Sequence, residues 1–176
     1  FDGILAQVYA ELPGSLIDEL CRCRGIAVLG GGYDRIDVAA ATAAGIPVAN
    51  VRDYCREDIA QYVLTAILMH AKPLLPASPD RRWGVQAYSN LPRRVAGLTL
   101  FLLGYGSIGS CVAQRARGLG MRVICHDPHV SAQEMAFSGV EFVPWEEGFL
   151  RADVVSVHMS LTEKTRGIVG AREFAW

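Results

Sequence analysis

Apolar residues occur along the chain in short runs, separated by segments in which apolar and polar positions mix with helical spacing. Short apolar runs bounded by glycine, proline or polar residues are typical of buried strands. Because helix-compatible segments separate the runs, the pattern predicts an α/β fold with parallel sheets and right-handed crossovers. The predicted strands are 4–8, 26–29, 47–50, 99–103, 121–126, 140–142 and 153–157.

The segments between the runs carry signals for helix ends. Asp37 is placed to cap a helix that Gly45 would end. In the longest segment, acidic residues stand at the N-terminus and apolar residues cover most of the circumference, so we expect this helix to be buried. The predicted helices are 13–22, 38–44, 57–72 and 145–150.

The apolar run at 99–103 leads directly into a G-x-G-x-x-G motif at 104–109, and a helix-compatible segment follows. Gly104 allows a tight turn out of the strand, and Gly106 lets a pyrophosphate approach the backbone. Gly109 allows the helix to pack closely on the strand. Since the first turn of a helix presents N–H groups and a positive dipole end, the motif predicts a dinucleotide phosphate site.

The next predicted strand ends at Asp127, 18 residues after Gly109. That spacing is close to the one at which a carboxylate binds the adenosine ribose. The alternative is a glycine-rich turn in an ordinary α/β protein, with Asp127 as a helix cap. Strand, loop, helix, strand and acid together favour the dinucleotide site. Because a carboxylate repels a 2′-phosphate, NAD is predicted rather than NADP.

Composition excludes several classes of function. The net charge is −1 and no basic stripe indicates a nucleic-acid partner. The five cysteines form no C-x-x-C pair and no zinc-type pattern, which predicts no metal site and a reducing, cytoplasmic location. The longest apolar stretch, 59–69, is interrupted by polar residues and is too short to span a membrane.

Four stretches, in this order, resemble the D-isomer-specific 2-hydroxyacid dehydrogenases, in the branch near the C-terminal-binding proteins and phosphoglycerate dehydrogenases. The resemblance implies a partial flavodoxin-like substrate domain at 1–72, ending in an interdomain helix. A linker or arm at 73–94 and the N-terminal half of a Rossmann NAD-binding domain at 95–176 would follow. The resembling stretches are 30–37, 54–60, 103–109 with 126–128, and 153–158 with 161–167.

The same resemblance implies a reaction and its site. Family members transfer a hydride between NAD and a small 2-hydroxy or 2-keto acid, and a homodimer is expected, with Trp83 either an interface anchor or a packed loop residue. Cofactor contacts are implied for Gly104, Gly106, Ser107, Ile108, Gly109, Asp127, Met159, Ser160 and Thr165, and substrate contacts for Gly31 and Gly32.

The chain departs from the family at its chemistry. The arginine, glutamate and histidine that polarise the substrate and move its proton belong to motifs that would follow Trp176. We therefore assign no catalytic residue and expect the 176-residue chain alone to be inactive. Many members carry an arginine where this chain has Val28. His158 is interpreted as a structural histidine bonded to a backbone carbonyl. An NAD-binding, corepressor-like regulatory module without turnover is the alternative function.

Overall fold

The computed structural model of the protein describes residues 1–72 and 92–176. The described chain forms two compact units. The first contains residues 1–55 and 161–166, and the second contains 56–160 and 167–176. Each unit holds a parallel sheet with helices, which confirms the predicted α/β class.

The first unit is built on a three-stranded sheet in the order β1-β2-β3, with every pair parallel. The side chains of Ile17, Ile26, Val28 and Ala41 form the centre of its core. Its elements are β1 (Ile4–Gln7), α1 (Gly14–Ile17), β2 (Ile26–Leu29), α2 (Val38–Ala43) and β3 (Val48–Asn50).

The structure agrees with the sequence prediction for one helix of this unit and differs from it for the other. Asp37 caps α2 as expected, because its carboxylate accepts the Ala40 N–H at 2.9 Å. The prediction that the first helix continues to residue 22 is wrong. After Ile17 the backbone changes to tight turns, in which the Leu20 N–H donates to the Ile17 carbonyl. Ile17 is the one buried residue of α1, so a longer helix lacks an apolar face to stabilise it.

The second unit has a four-stranded parallel sheet in the order β6-β5-β4-β7. All five residues of the inner strand β4 are buried. The elements are α3 (Arg56–Ala71), β4 (Thr99–Leu103), α4 (Ser107–Gly118), β5 (Arg122–His126), α5 (Ala132–Phe137), β6 (Glu141–Phe142), α6 (Trp145–Arg151) and β7 (Val154–Val157), followed by a 3₁₀ turn at Glu173–Ala175.

Helix α3 is only partly buried, in contrast to the prediction. Ala60, Ile67 and Ala71 face the core that α3 shares with α4. Tyr62 and Met69, on the other side, are 78% and 62% exposed. Although apolar residues surround the whole helix, one of its faces is packed and the other is exposed within the described residues.

Helix α5 was not predicted from the apolar pattern. A capping box begins it: the Glu134 N–H donates to the Ser131 hydroxyl, and the Ser131 N–H donates to the Glu134 carboxylate. The spacing S-x-x-E at 131–134 is a recognised helix-start signal and could have located this helix.

Asp153 joins the starts of β7 and β4. Its N–H donates to the Thr99 carbonyl, and its carboxylate accepts the Thr99 N–H at 2.9 Å and Arg93 at 3.0 Å. The Thr99 N–H, and secondly Arg93, hold the pKa of Asp153 below its usual range.

We expect Asp153→Asn to lower the free energy of unfolding by about 1 kcal/mol at pH 7, since the bonds lose the assistance of the charge. The difference between wild type and variant should shrink as the pH falls through the folded-state pKa, because the wild-type carboxyl then becomes neutral as well. Urea unfolding at pH 7 and pH 3 measures both effects. An equal loss at the two pH values would contradict the explanation.

Two further sequence predictions concern the connection between the units. Residues 73–91, with Trp83 and most of the predicted linker at 73–94, lie outside the described residues. The predicted domain limits stay predictions, and α3 groups with the second unit by its contacts. Within the described ranges, no helix combines the length and apolarity needed to cross a membrane.

Candidate dinucleotide-binding site

The carboxyl ends of β4, β5 and β7 lie side by side at one edge of the second unit's sheet, because β4 is hydrogen-bonded to both neighbours. Two backbone bonds extend this pairing beyond the strands. The Gly104 N–H donates to the His126 carbonyl at 3.0 Å, and the His158 N–H donates to the Leu103 carbonyl at 2.8 Å. The segments after the three strands therefore begin next to one another.

Gly104 makes the turn out of β4. Its φ of +101° lies in a region that residues with side chains rarely adopt. A Cβ atom at this position would also lie 3.0 Å from the carbonyl of His158 and 3.1 Å from the Met159 nitrogen. The turn thus requires glycine and passes directly beside the end of β7.

The N-terminus of α4 has no capping side chain. Its N-cap is Gly106, which supplies no capping side chain, and the first turn contains no acidic residue. The Ser110 N–H donates to the Gly106 carbonyl, so the N–H groups of residues 107–109 precede the helical ladder. A Cβ on Gly106 would meet no atom within 4 Å. The helix end can therefore receive an anion.

Gly109 brings α4 against the turn. A Cβ there would collide with the Gly104 carbonyl oxygen and lie 3.6 Å from Cβ of His158. Gly109 itself is buried. The motif predicted close packing of the helix on the strand, and the helix lies against Gly104, directly after that strand, where any side chain at 109 would separate the two.

Asp127 is buried at the end of β5 and is hydrogen-bonded to the glycine turn. Its Oδ2 accepts the Tyr105 N–H at 2.7 Å, and its Oδ1 accepts the His129 N–H at 2.8 Å. An ionised carboxylate has about four acceptor positions, so these two bonds leave capacity for sugar hydroxyls. The sequence predicted a ribose ligand but not the second role, which is to fix the turn.

The histidines near this edge have structural partners. Nδ1 of His126 lies 3.0 Å from the Val143 carbonyl oxygen, and its ring packs on Phe142 and Trp145. Nε2 of His158 lies 2.9 Å from the Ser156 hydroxyl, a side-chain partner where a backbone carbonyl was expected. Burial lowers the pKa of His158 below its usual value.

This depressed pKa predicts a pH dependence of stability. Below a pH of about 6.5, His158 binds a proton more readily in the unfolded chain than in the folded protein. The free energy of unfolding should therefore fall as the solution is acidified. We expect His158→Gln to reduce that loss by less than about 1 kcal/mol between pH 7 and pH 5. Thermal unfolding across this range measures it, with the exposed His129→Gln as control. An identical pH profile for His158→Gln and wild type would contradict the prediction.

The remaining predicted site residues fall into two groups. Met159 follows His158 at the sheet edge and packs on the cluster around Phe101, and Ser160 comes next. Thr165 lies in the segment 161–166, which groups with the first unit, where its backbone and hydroxyl bond to Thr162. The assignment of these residues to the cofactor stays a prediction.

The predicted substrate residues Gly31 and Gly32 follow β2 in the first unit. The Gly31 carbonyl accepts the side-chain amide of Asn50 at 2.8 Å, which fixes this loop to β3. Across residues 1–72 and 92–176, neither Gly31 nor Gly32 uses its N–H group in a hydrogen bond. Two exposed N–H donors next to each other can hold a carboxylate.

Comparison with known proteins agrees with this geometry. The sequence profile of the D-isomer specific 2-hydroxyacid dehydrogenase NAD binding domain matches residues 63–176. The chain belongs to the D-isomer specific 2-hydroxyacid dehydrogenase family. NAD is the cofactor of the matched domain, as the glycine motif and Asp127 predicted.

Relatives include the glyoxylate reductase of Thermococcus gammatolerans, 31% identical over 98% of this chain and 54% of that enzyme. D-3-phosphoglycerate dehydrogenase of Mycobacterium bovis is 30% identical over 99% of this chain and 33% of that enzyme. The chain thus spans about half or less of the length of these family members.

Solved structures of the family share the fold. The crystal structure of D-lactate dehydrogenase from Aquifex aeolicus, complexed with NAD and lactic acid, has a TM-score of 0.87 and 27% identity, covering 99% of this chain and 53% of that one. A glyoxylate reductase from Paecilomyes thermophila has a TM-score of 0.81 and 31% identity, covering 98% and 55%. These relatives are enzymes, which does not favour the regulatory alternative.

Proposed function

We propose that the full protein transfers a hydride between NAD and a small 2-hydroxy or 2-keto acid. The observation that carries this proposal is the N-terminus of α4, which has no capping side chain, with Asp127 bonded to the Tyr105 N–H of the adjoining turn. One element receives a diphosphate and the other a sugar with free hydroxyls. A 2′-phosphate would meet the Asp127 carboxylate, which favours NAD over NADP.

The predicted cofactor residues divide by role in this proposal, with Gly104 and Gly109 shaping the turn and the close approach of the helix. The backbone N–H groups of Ser107 and Ile108 hold the pyrophosphate, Gly106 leaves room for it, and Asp127 binds the ribose. Met159, Ser160 and Thr165 border the adenosine and nicotinamide side. Bound NAD supplies the hydride acceptor or donor.

The substrate side of the proposal rests on Gly31 and Gly32. Their N–H groups orient the substrate carboxylate, which leaves the 2-hydroxy or 2-keto carbon to be placed by the rest of the protein. We assign no proton-transferring residue in this chain. The arginine, glutamate and histidine that the family resemblance implies would perform that step.

We also propose a homodimer with Trp83 as an interface anchor, and a cytoplasmic location. The location is supported by the cysteines, since all five are free thiols. The dimer follows from the family resemblance. Analytical ultracentrifugation of wild type and Trp83→Ala separates an interface role from packing within one subunit.

Gly106→Ala tests the proposed cofactor site. An added methyl group has room in the folded protein but occupies the space assigned to the pyrophosphate. We expect the melting temperature to remain unchanged and the Kd for NAD to rise about tenfold to a hundredfold, the range for losing hydrogen bonds to a charged group. NADH oxidation by the full protein with glyoxylate, pyruvate and longer 2-keto acids should fall in parallel.

Gly118→Ala is the matched control, because this residue of the same helix also has open space around its added methyl group. It should leave NAD affinity unchanged. Equal NAD affinity in wild type and Gly106→Ala would place the phosphates elsewhere. An intact full-length protein that binds NAD but oxidises no NADH with any of these acids would refute the proposed reaction.

A further inference from the structure

A second concavity lies in the same unit, between the start of α3, α4 and the end of α5, and it meets the glycine turn at Tyr105. Its volume is about 460 Å³. Pockets that bind small molecules have volumes of about 300–1,000 Å³. Its lining includes Arg56, Tyr105, Ser110, Gln114, Arg117 and Phe137.

The charge of this cavity is positive. Arg117 has no carboxylate partner in residues 1–72 and 92–176, and its Nη1 donates to the neutral Ser138 carbonyl at 2.6 Å. The one acidic lining residue, Glu57, forms ion pairs with both Arg56 and Arg115. Cations therefore exceed anions around the cavity, and a guanidinium group suits a phosphate or carboxylate ligand.

The cavity also has aromatic side chains and neutral hydrogen-bonding groups. Phe137 is 95% exposed although its side chain is large and apolar. Together with Tyr105 it offers ring surfaces, and Ser110, Ser138 and Gln114 add hydroxyl and amide groups. An inorganic ion alone would leave the aromatic side chains without a contact. A ligand with an anionic group and an apolar ring would use both parts of the lining.

We propose that this cavity binds a small phosphate monoester with an aromatic or similarly flat apolar substituent. Arg117 and Arg56 contact the phosphate oxygens, and Phe137 packs on the substituent. This site does not depend on the proposed function, since it uses none of the groups assigned to NAD and takes only the side chain of Tyr105 from the glycine turn. Arg117 keeps its bond to the Ser138 carbonyl through one nitrogen and offers the other donors of its guanidinium group.

Isothermal titration of the purified protein with phenyl phosphate tests the proposal, with inorganic phosphate and phenol as partial ligands at constant ionic strength. We expect saturable binding of phenyl phosphate at one site, at least about tenfold tighter than binding of either partial ligand. Arg117→Gln and Phe137→Ala should each weaken it about tenfold or more. Phe137→Ala keeps the test valid if Arg117→Gln unfolds, because Phe137 is exposed.

Arg122→Gln is the matched control, since Arg122 does not line this cavity and donates instead to the Gly97 carbonyl, so its loss should have no effect. Saturating NAD must not displace phenyl phosphate. Displacement by NAD would show binding at the N-terminus of α4 and overturn the proposal. No saturable binding, equal weakening by Arg122→Gln, or binding of inorganic phosphate as tight as that of phenyl phosphate would overturn it as well.

Discussion

Replacing Gly109 with alanine is expected to lower the free energy of unfolding by about 3 kcal/mol and to abolish measurable NAD binding. The added methyl group would collide with the Gly104 carbonyl oxygen, a backbone atom that cannot rotate away as a side chain can. Helix α4 must then move away from the turn, and its N-terminus no longer points at the site. The melting temperature should fall by roughly 5–10 °C. Differential scanning fluorimetry and NAD titration measure the two effects.

Gly118→Ala provides the comparison on the same helix. It adds the same methyl group where nothing lies within 4 Å, so the melting temperature should stay constant or rise. A Gly109→Ala protein with wild-type stability and wild-type NAD affinity would show that the close approach of helix and turn is not required.

Gly148→Ala should have the largest effect on stability outside the candidate site. Gly148 is buried in α6, and an added methyl group would overlap the ring of Phe101, which is fully buried in β4. Phe149 packs edge-on against the same ring at 5.2 Å and restricts its movement. We expect a loss of about 1–3 kcal/mol, measured by urea unfolding, with NAD affinity retained in the protein that remains folded.

A second substitution tests whether the overlap with the Phe101 ring, rather than a general sensitivity of α6 to substitution, causes the loss of stability. Phe101→Leu leaves more space opposite residue 148, so the double variant should be more stable than the sum of the two single losses predicts. If the losses in free energy of unfolding for Gly148→Ala and Phe101→Leu simply add in the double variant, the Phe101 ring does not cause the loss in Gly148→Ala.

Local signals predicted the parts of the fold that depend on neighbouring residues. The apolar run of β4, the glycine turn and α4 follow one another within twenty residues, and Asp37 caps α2 through a residue three positions away. Such features depend on backbone sterics and on hydrogen bonds between residues close in the sequence, so the residue types alone indicate them. The S-x-x-E box before α5 belongs to the same class, although the apolar pattern does not indicate this helix.

Features set by distant contacts could not be predicted. Nothing in the residues around α3 indicates that Ala60 is buried while Tyr62 is exposed, because the packing of α4 decides it. The partner of His158 is an exception, because the Ser156 hydroxyl lies two residues back on the same face of the strand and could have been predicted in place of a carbonyl. The spacing from Gly109 predicts a sugar ligand for Asp127, but the bond from the Tyr105 N–H to its carboxylate depends on the path of the turn.

That bond has a consequence for altering coenzyme preference. If Asp127 binds the ribose as proposed, accepting a 2′-phosphate requires the loss of its negative charge, yet the same carboxylate accepts the Tyr105 N–H and thereby fixes the path of the glycine turn. A substitution that removes the charge also releases the turn unless the new side chain keeps an acceptor there. Redesign toward NADP therefore begins with a neutral acceptor such as asparagine or serine at 127, and a cation is added afterwards.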